Sequence, residues 1–245
     1  MKLTVIGGTG LIGSQVVQRL TEAGHEAVAA APSTGVDLLT GEGLDQALRG
    51  ADAVVNVANS PTFDEASLDF FRTTMDNLLA AGERAGVGHQ VILSIVGVDQ
   101  VPDLAYYRAK VLQEDLLKQG PTPYSIVRAT QFFEFVDAIL SWSSDDTTVR
   151  LPATPLQPIA AADVVAAVVD VATGSPLNGV RDVAGPDVFP LDELGKITLA
   201  AQGDVRSVVT GGSGMFAAVP GDVLTAGPGA HLAPTRYQDW LTRTR

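Results

Sequence analysis

The chain opens on a pattern of apolar and polar positions that changes its period within the first residues. Lys2–Ile6 is a short apolar run, a glycine-rich stretch follows over 7–13, and apolar positions then recur at helical spacing. The same change from strand-like to helix-like spacing recurs down to about residue 150. We therefore expect the α/β class, with a Rossmann-type doubly wound parallel sheet and right-handed crossovers.

Five strands and five helices are predicted in this part of the chain. The strands are predicted at Leu3–Ile6, Ala27–Ala31, Ala53–Val57, Gln90–Ile95 and Tyr124–Arg128. The helices are predicted near 11–23, 43–49, 64–86, 104–119 and 131–142. The apolar stripe of the helix over 64–86 has the spacing of a face that packs on the sheet.

After residue 150 the alternation weakens. Helices are predicted over 161–173 and 190–202, and strands at Val180–Ala184 and Val205–Thr210. The segment 211–234 is rich in Gly, Ala and Pro, which fits either a substrate lid or an irregular surface loop. We expect a dinucleotide-binding core over 1–150 and a smaller C-terminal α+β substrate-binding lobe over 151–245. A single integrated domain is the alternative.

Composition and charge narrow the classes of function. The 245 residues are 46% hydrophobic, enough for a sizeable core, and contain no cysteine. Disulfides, thiolate catalysis and Cys-ligated metals are therefore excluded, and with three scattered histidines we expect no metal site. A net charge of −12 argues against nucleic-acid binding. Without a signal peptide or a membrane-spanning stretch, we expect a cytoplasmic monomer or homodimer that acts on a small molecule and not at a membrane.

The glycine-rich stretch predicts the cofactor. Gly7, Gly10 and Gly13 stand three residues apart, directly after a strand and before a helix. Glycine permits positive φ and lets backbone N–H groups approach phosphates, and the helix N-terminus adds partial positive charge. This arrangement predicts a dinucleotide site; a plain tight turn between strand and helix is the alternative.

The end of the second strand bears on which dinucleotide binds. An acidic residue about twenty positions after the glycines binds the ribose of NAD, and a basic one accommodates the extra phosphate of NADP. Ala31-Pro32-Ser33-Thr34 contains neither. Ser33 and Thr34 can bind a phosphate or serve as turn residues, and Asp37 can contact adenine or ribose. We expect NADP(H) to be preferred over NAD(H).

A second cluster carries the candidate chemistry. Tyr106 and Lys110 have i, i+4 spacing on a predicted helix, so both side chains share one face. An ammonium near a phenol lowers the phenol pKa toward neutrality and suits it to proton transfer. Ser94 ends a strand at the edge where such sheets bind ligands, and there it can bond a substrate oxygen. Tyr107 is a rival for the acid, and the spacing also occurs by chance.

Six motifs carry a family resemblance: Gly7-x-x-Gly10-x-x-Gly13, Asp37, Val57-Ala58-Asn59-Ser60, Ser94, Tyr106-x-x-x-Lys110 and Arg128-Ala129-Thr130-Gln131-Phe132-Phe133. Together they resemble the atypical short-chain dehydrogenase/reductase superfamily, and most of all its NmrA-like NAD(P)-binding group. The resemblance covers nearly the whole chain. Pro32 departs from the pattern, because many members carry arginine there, and this weakens the assignment of NADP.

The resemblance implies roles for individual residues around the cofactor. The pyrophosphate would be wrapped by Thr9, Gly10, Leu11 and Ile12, and the adenine would be flanked by Asp37 and Leu38. The ribose would be bordered by Ala58, Asn59 and Ser60. The nicotinamide pocket would be lined by Gln131 and Phe132. Ser94 would face the substrate, and Lys110 can also bind the nicotinamide ribose.

The function implied is an NAD(P)H-dependent oxidoreductase that reduces a small carbonyl, enone or quinone by hydride transfer. In this hypothesis Tyr106 supplies the proton, Lys110 tunes it and Ser94 orients the reacting oxygen. Two alternatives use the same fold. One is an NADP(H)-binding sensor or regulatory protein without turnover, and the other is a redox-neutral isomerase or cyclase.

Overall fold

The computed structural model describes residues 1–212 and 215–243 of the chain. Its strands are β1 (Lys2–Ile6), β2 (Glu26–Ala30), β3 (Ala53–Asn56), β4 (His89–Ile95), β5 (Tyr124–Ala129), β6 (Thr148–Leu151), β7 (Pro155–Leu156), β8 (Gly179–Ala184), β9 (Phe189–Pro190), β10 (Ser207–Thr210) and β11 (His231–Leu232). Its α-helices are α1 (Leu11–Glu22), α2 (Leu44–Ala47), α3 (Ala66–Ala85), α4 (Ala105–Gln119), α5 (Val136–Trp142), α6 (Ala161–Thr173), α7 (Leu191–Gln202) and α8 (Tyr237–Arg243).

One seven-stranded sheet has the order β11-β8-β5-β4-β3-β1-β2. The pairs β1–β2, β1–β3, β3–β4 and β8–β11 are parallel. Because β1 lies between β2 and β3, the chain leaves β1 on one side and returns on its other side. Such a switch point opens a crevice at the carboxyl ends of the strands, where ligands bind in this class of fold. The predicted Rossmann-type sheet is confirmed.

The five strands predicted up to residue 128 are present. The four helices predicted to follow the first four strands are present as well. The helix predicted over 131–142 begins later than expected, because Phe133–Phe135 form a 3-10 turn ahead of α5. Phe132, just before this turn, forms an isolated parallel bridge with Ile159. That extended pairing keeps residues 131 and 132 out of the helix.

Burial explains why these elements form. The strands β1 and β3 are almost wholly buried, as expected for parallel strands covered on both faces. Helix α1 buries Ile12, Val16 and Leu20, which lie at helical spacing on its inner face. Helix α3 likewise buries Met75 and Leu78 of the stripe predicted to face the sheet.

The described chain divides into two compact units, each discontinuous in sequence. The first unit is Met1–Arg128 with Val164–Arg181, and the second is Ala129–Asp163 with Asp182–Arg245. The sequence predicted a single boundary near residue 150. In the structure the chain passes into the second unit at Ala129 and returns to the first unit at Val164, so most of α6 belongs to the first unit. This apolar helix buries Val164, Val165 and Val168. Residues 213, 214, 244 and 245 of the predicted lobe lie outside the described residues.

The second unit contains short pairings that the sequence did not predict. β6 pairs with β10 in parallel, and β7 pairs with β9 antiparallel. The ring of Phe133 contacts those of Tyr237 and Trp240, at centroid distances of 4.9 and 5.5 Å, so α8 is anchored by aromatic packing. Within the predicted irregular segment 211–234, Met215–Ala218 form a 3-10 turn and His231–Leu232 form β11.

None of the helices in the described ranges is long and apolar enough to cross a membrane. No group of three or more His, Cys, Asp or Glu side chains in the same ranges is placed to hold a metal ion.

Candidate active site

The turn after β1 is so tightly folded that three of its glycines, Gly7, Gly8 and Gly13, leave no room for a side chain. Gly7 has φ +78°, and its N–H donates to Ala30 O at 2.9 Å. A Cβ added to Gly8 would lie 2.7 Å from Val5 O, and one added to Gly13 would lie 2.1 Å from Gly7 O. Both distances are shorter than real Cβ contacts. The glycine pattern of the sequence therefore reflects a closely packed backbone at this edge of the sheet, where only glycine fits.

Helix α1 begins directly from this turn, with Gly10 as its N-cap. Gly10 has no side chain to cap the helix, and no acidic residue stands in the first turn. The N–H groups of the first turn and the partial positive charge of the helix are thus left for an external anion. The cradle for a pyrophosphate at Thr9, Gly10, Leu11 and Ile12 stays a prediction, and within it the N–H of Gly10 donates to Gly7 O at 3.0 Å.

The two hydroxyl residues after β2 have different surroundings. Thr34 Oγ1 accepts a 2.9 Å hydrogen bond from the N–H of Ala31, so it serves the turn. Ser33 is exposed, and its Oγ lies 3.4 Å from Thr9 Oγ1 on the glycine turn. Of the two residues, Ser33 is the one placed beside the predicted phosphate cradle.

Asp37 is engaged in its own loop. Its Oδ1 accepts the N–H of Leu39 at 2.7 Å, an Asx turn that orders the segment after β2. The carbonyl of Leu38 accepts a 2.9 Å hydrogen bond from Asn77 of α3, and the Leu38 side chain packs on the core. Both residues stay candidates for the adenine site on the strength of the resemblance.

The loop after β3 adjoins the glycine turn. A Cβ added to Gly7 would lie 2.9 Å from the nitrogen of Ala58, so these two backbones are in direct contact. Asn56 Oδ1 accepts the N–H of Ala58 at 3.0 Å, and Asn59 Oδ1 accepts the N–H of Ser60 at 3.0 Å. The predicted phosphate-binding and ribose-binding segments thus lie next to each other.

Tyr106, near the start of α4, is bound to this loop. Its hydroxyl donates to Asn59 Oδ1. The rings of Phe63 and Phe71 lie 4.9 and 6.2 Å from its ring. Burial raises the pKa of Tyr106 to about 12, so the phenol keeps its proton at neutral pH. The predicted lowering of this pKa is wrong, because burial is the largest effect on it and raises it.

Lys110 is buried on the same face of α4, as its spacing predicted, but its ammonium has other partners. Nζ donates to Leu93 O at 2.7 Å and to Gln113 Oε1, and lies 4.9 Å from the centre of the Phe71 ring. Burial lowers its pKa to about 7, although the charge of Glu114 raises it. The predicted phenol–ammonium pairing is replaced by separate hydrogen bonds for the two side chains.

Ser94 lies near the carboxyl end of β4, as predicted, and is buried. Its hydroxyl donates to Glu114 Oε1 at 2.6 Å. The same carboxylate accepts two hydrogen bonds from Arg128, at 2.8 and 2.7 Å. Burial alone would raise the pKa of Glu114, but the hydrogen bonds from Arg128 and Ser94 hold it below its usual value.

The two residues after Tyr106 have structural partners. Tyr107 is buried, with its ring 6.5 Å from that of Tyr106. Arg108 forms an ion pair with Glu65 and donates to Pro102 O at 2.7 Å. Arg108 therefore fastens the start of α4 to neighbouring loops.

Gln131 and Phe132 belong to the second unit. The side-chain oxygen of Gln131 is buried and has no hydrogen-bond partner among the described residues. Phe132 is half-buried and precedes the 3-10 turn. Their role at the nicotinamide stays a prediction that rests on the resemblance.

Glu114 and Gln113 are the polar residues that sequence reasoning missed. Both are buried on the inner face of α4, where they bind Ser94 and Lys110. The signal was present, because Tyr106, Lys110 and Glu114 recur at i, i+4 on one helix face. Charged residues on the buried face of a helix require partners, and Arg128 supplies one for Glu114.

Comparison with known proteins names the family. Residues 7–174, which contain the glycine turn and α4, match the model of a family described as NAD(P)H-binding. The chain belongs to this NAD(P)H-binding family. The NAD(P)-binding family that the resemblance implied is confirmed at this level.

Relatives of this NAD(P)H-binding protein include a reductase. The (4-alkanoyl-5-oxo-2,5-dihydrofuran-3-yl)methyl phosphate reductase of Streptomyces griseus subsp. griseus is 29% identical over 211 residues, which are 78% of this chain and 70% of that protein.

Two solved structures share the fold. The NADPH-dependent quinone oxidoreductase QOR2 of Escherichia coli, complexed with NADPH, has a TM-score of 0.68 at 18% identity, over 85% of this chain and 78% of that one. The enzyme WbmH of Bordetella bronchiseptica, in complex with NAD+, has a TM-score of 0.71 at 15% identity, over 98% and 95%. Neighbours of this NAD(P)H-binding protein thus hold either dinucleotide.

Proposed function

We propose that this chain is an NAD(P)H-dependent reductase of a small carbonyl, enone or quinone, with Tyr106 as the proton donor. One observation carries the proposal: the backbone of Gly7 touches Ala58, and the next residue along the chain, Asn59, accepts the hydrogen bond of the Tyr106 hydroxyl. The phosphate cradle and the phenol are therefore linked by two adjacent residues of one loop. The Streptomyces relative, named as a reductase of a 5-oxo-2,5-dihydrofuran compound, supports an unsaturated carbonyl acceptor.

The chain's own groups would hold the dinucleotide at the switch point. The N–H groups of Thr9, Leu11 and Ile12 bind the pyrophosphate, since the first turn of α1 has no cap of its own. The N–H of Gly10 donates to Gly7 O at 3.0 Å, so Gly10 contributes its close backbone approach and no hydrogen bond. Ser33 and Thr9 offer hydroxyls to the phosphate on the adenine ribose. Because no carboxylate stands in the stretch 31–36 to repel that phosphate, we propose a preference for NADP(H) over NAD(H).

A bound, reduced nicotinamide supplies hydride. Tyr106 acts as an acid, because burial raises its pKa to about 12 and keeps it protonated across the neutral range. Lys110 binds Leu93 O and so joins the end of β4 to α4, the helix that carries Tyr106. The hydroxyl proton of Ser94 is committed to Glu114, which makes Ser94 a support for β4 in this proposal.

Titration with NADPH and NADH, followed by cofactor fluorescence, tests the proposal, with quinones, enones and aldehydes then added. We expect binding, and oxidation of the bound cofactor by at least one acceptor. Gly13→Ala, whose Cβ would lie 2.1 Å from Gly7 O, is expected to lose binding, and Gly88→Ala, with 3.5 Å to Asp52 O, is the control. Binding without oxidation by any acceptor would contradict the reductase and favour a sensor. Stereochemical change without net cofactor consumption would favour a redox-neutral enzyme.

A further inference from the structure

Asn59 accepts two hydrogen bonds at one atom. Its Oδ1 receives the N–H of Ser60 at 3.0 Å and the hydroxyl of Tyr106. A backbone N–H can only donate, so the atom of the amide that faces it must be the oxygen. The orientation of the amide is thereby fixed, and Tyr106 must be the donor in the second hydrogen bond.

The loop that carries Asn59 is itself braced. Ser67 of α3 is buried, and its Oγ lies 2.7 Å from Thr62 O and 3.1 Å from Ser60 Oγ. The N–H of Thr62 donates to Ser60 Oγ at 3.3 Å. The segment that directly follows Asn59 is therefore held by contacts that do not involve Tyr106, and the N–H of Ser60 links the Asn59 side chain to it.

We propose that Asn59 is a positioning residue: it holds the hydroxyl proton of Tyr106 until a substrate oxygen becomes a stronger acceptor than the Asn59 amide oxygen. This inference rests on the proposed function and deepens it. A neutral carbonyl oxygen does not surpass an amide oxygen as an acceptor. An oxygen that has gained negative charge does, because a charged acceptor strengthens a hydrogen bond. Asn59 thus ties the release of the proton to charge that develops only in the transition state.

The step balances with reduced nicotinamide as the reductant. The substrate carbon forms a C–H bond with the hydride and its electron pair, and the π pair of the carbonyl moves to oxygen. The O–H bond of Tyr106 then breaks, its proton forms the new O–H bond of the alcohol, and the phenolate is reprotonated from solvent. The carbonyl is reduced and the nicotinamide is oxidised.

The same geometry disfavours the deprotonated form of Tyr106, the phenolate. A hydrogen bond from the Asn59 amide nitrogen would stabilise the phenolate and lower the pKa of Tyr106. The amide would have to turn over to provide it, and the N–H of Ser60 would then lose its acceptor. Burial acts in the same direction, since it raises the pKa of Tyr106.

Tyrosinate absorbance after a rapid pH jump, read before the chain unfolds, tests this inference without relying on activity. The titration curve of Tyr106 is obtained by subtracting the absorbance of the same protein carrying Tyr106→Phe at each pH. We expect the midpoint to fall by roughly one pH unit in Asn59→Ala, which lacks the acceptor, and to rise in Asn59→Asp, whose carboxylate keeps both hydrogen bonds. Circular dichroism on the same samples verifies the fold.

Phe63→Ala is the matched control for entry of water. It uncovers the ring of Tyr106, whose centroid lies 4.9 Å from that of Phe63, and leaves the acceptor in place. A fall as large as that of Asn59→Ala, or an unchanged midpoint in both Asn59 variants, would overturn the inference.

Kinetics separate this inference from the proposed function. With an accepted substrate, Asn59→Asp is expected to lower kcat on the order of tenfold with KM little changed, since the carboxylate binds the proton more tightly. A shifted midpoint with unchanged kcat would overturn the role in proton release. If the titration midpoints shift as expected but no acceptor receives hydride, the proposed reductase activity is contradicted. The hydrogen bond from the Tyr106 hydroxyl to Asn59 would still be established.

Discussion

The hydroxyl of Ser94 donates a 2.6 Å hydrogen bond to the carboxylate of Glu114, and both side chains are buried. Arg128 binds the same carboxylate through two guanidinium nitrogens. A hydroxyl that donates to a carboxylate is held more firmly than one that donates to a neutral oxygen. Ser94 therefore joins β4 to α4 and has no second proton to offer a substrate.

Ser94→Ala is expected to lower the free energy of unfolding by about 1.5–3 kcal/mol, because a hydrogen bond to a buried charge is lost. Urea denaturation measures the loss. Ser141→Ala is the control, since it removes an exposed hydroxyl that donates to Asp137 O, and we expect a change within about 0.5 kcal/mol. Loss of turnover at unchanged stability in Ser94→Ala would restore the substrate role predicted from the sequence.

Tyr106→Phe is expected to reduce turnover on the order of 10²-fold, because the general acid is removed. The ring contacts with Phe63 and Phe71 are retained, so binding of the dinucleotide should persist. Steady-state kinetics with an accepted substrate, together with fluorescence titration of the cofactor, measure the two effects.

Tyr107→Phe is the matched comparison, since the sequence left either tyrosine as the acid. Tyr107 is buried beside Tyr106, and it is the Tyr106 hydroxyl that is bonded to the loop after β3. We expect Tyr107→Phe to retain most of the turnover. The reverse ranking of the two variants would make Tyr107 the acid.

Local pattern was sufficient to predict the sheet of the first unit. The strands and helices up to residue 128 are specified by hydrophobic period and by glycine at Gly7 and Gly13, which are signals contained within a few residues. The pairing of β6 with β10 was not predictable in this way. Thr148 pairs with Ser207, far along the chain, and each strand is too short to have a period of its own.

The candidate site shows the same limit. The spacing of Tyr106 and Lys110 correctly placed both side chains on one buried face of α4. What each polar group binds depends on residues distant in sequence: Asn59 for the phenol, and Leu93 for the ammonium. The interval of four residues fixes a shared helix face, but it does not fix a shared hydrogen bond.

Ser33→Arg is expected to raise the preference for NADPH over NADH on the order of tenfold, because a guanidinium binds a phosphate through paired hydrogen bonds. Ser33 is exposed beside Thr9 of the glycine turn, so the substitution displaces no buried contact. Dissociation constants for both cofactors measure the change. Ser33→Asp is expected to shift the preference toward NADH, and equal effects of Arg and Asp would exclude Ser33 from the phosphate site.

Lys110 gives the folded protein a stability that depends on pH. Burial lowers the pKa of Lys110 from 10.5 to about 7, while the charge of Glu114 opposes the change. Between those two values, the unfolded chain binds a proton that the folded chain does not. The contribution of Lys110 to the free energy of unfolding therefore rises with pH across this window, by up to about 1.4 kcal/mol per pH unit.

Lys110→Met removes the titrating amine and keeps a flexible apolar chain. We expect the wild type to gain stability relative to this variant as the pH is raised from about 7 to about 10, measured by urea denaturation at each pH. Lys118→Met, on the same helix, is the control. Burial lowers the pKa of Lys118, but Glu114 and Asp115 together hold it above its usual value, so its effect should be constant over this range. A constant difference for Lys110→Met as well would show that Lys110 stays charged when folded, with Gln113 and the Phe71 ring as partners of a full ammonium charge.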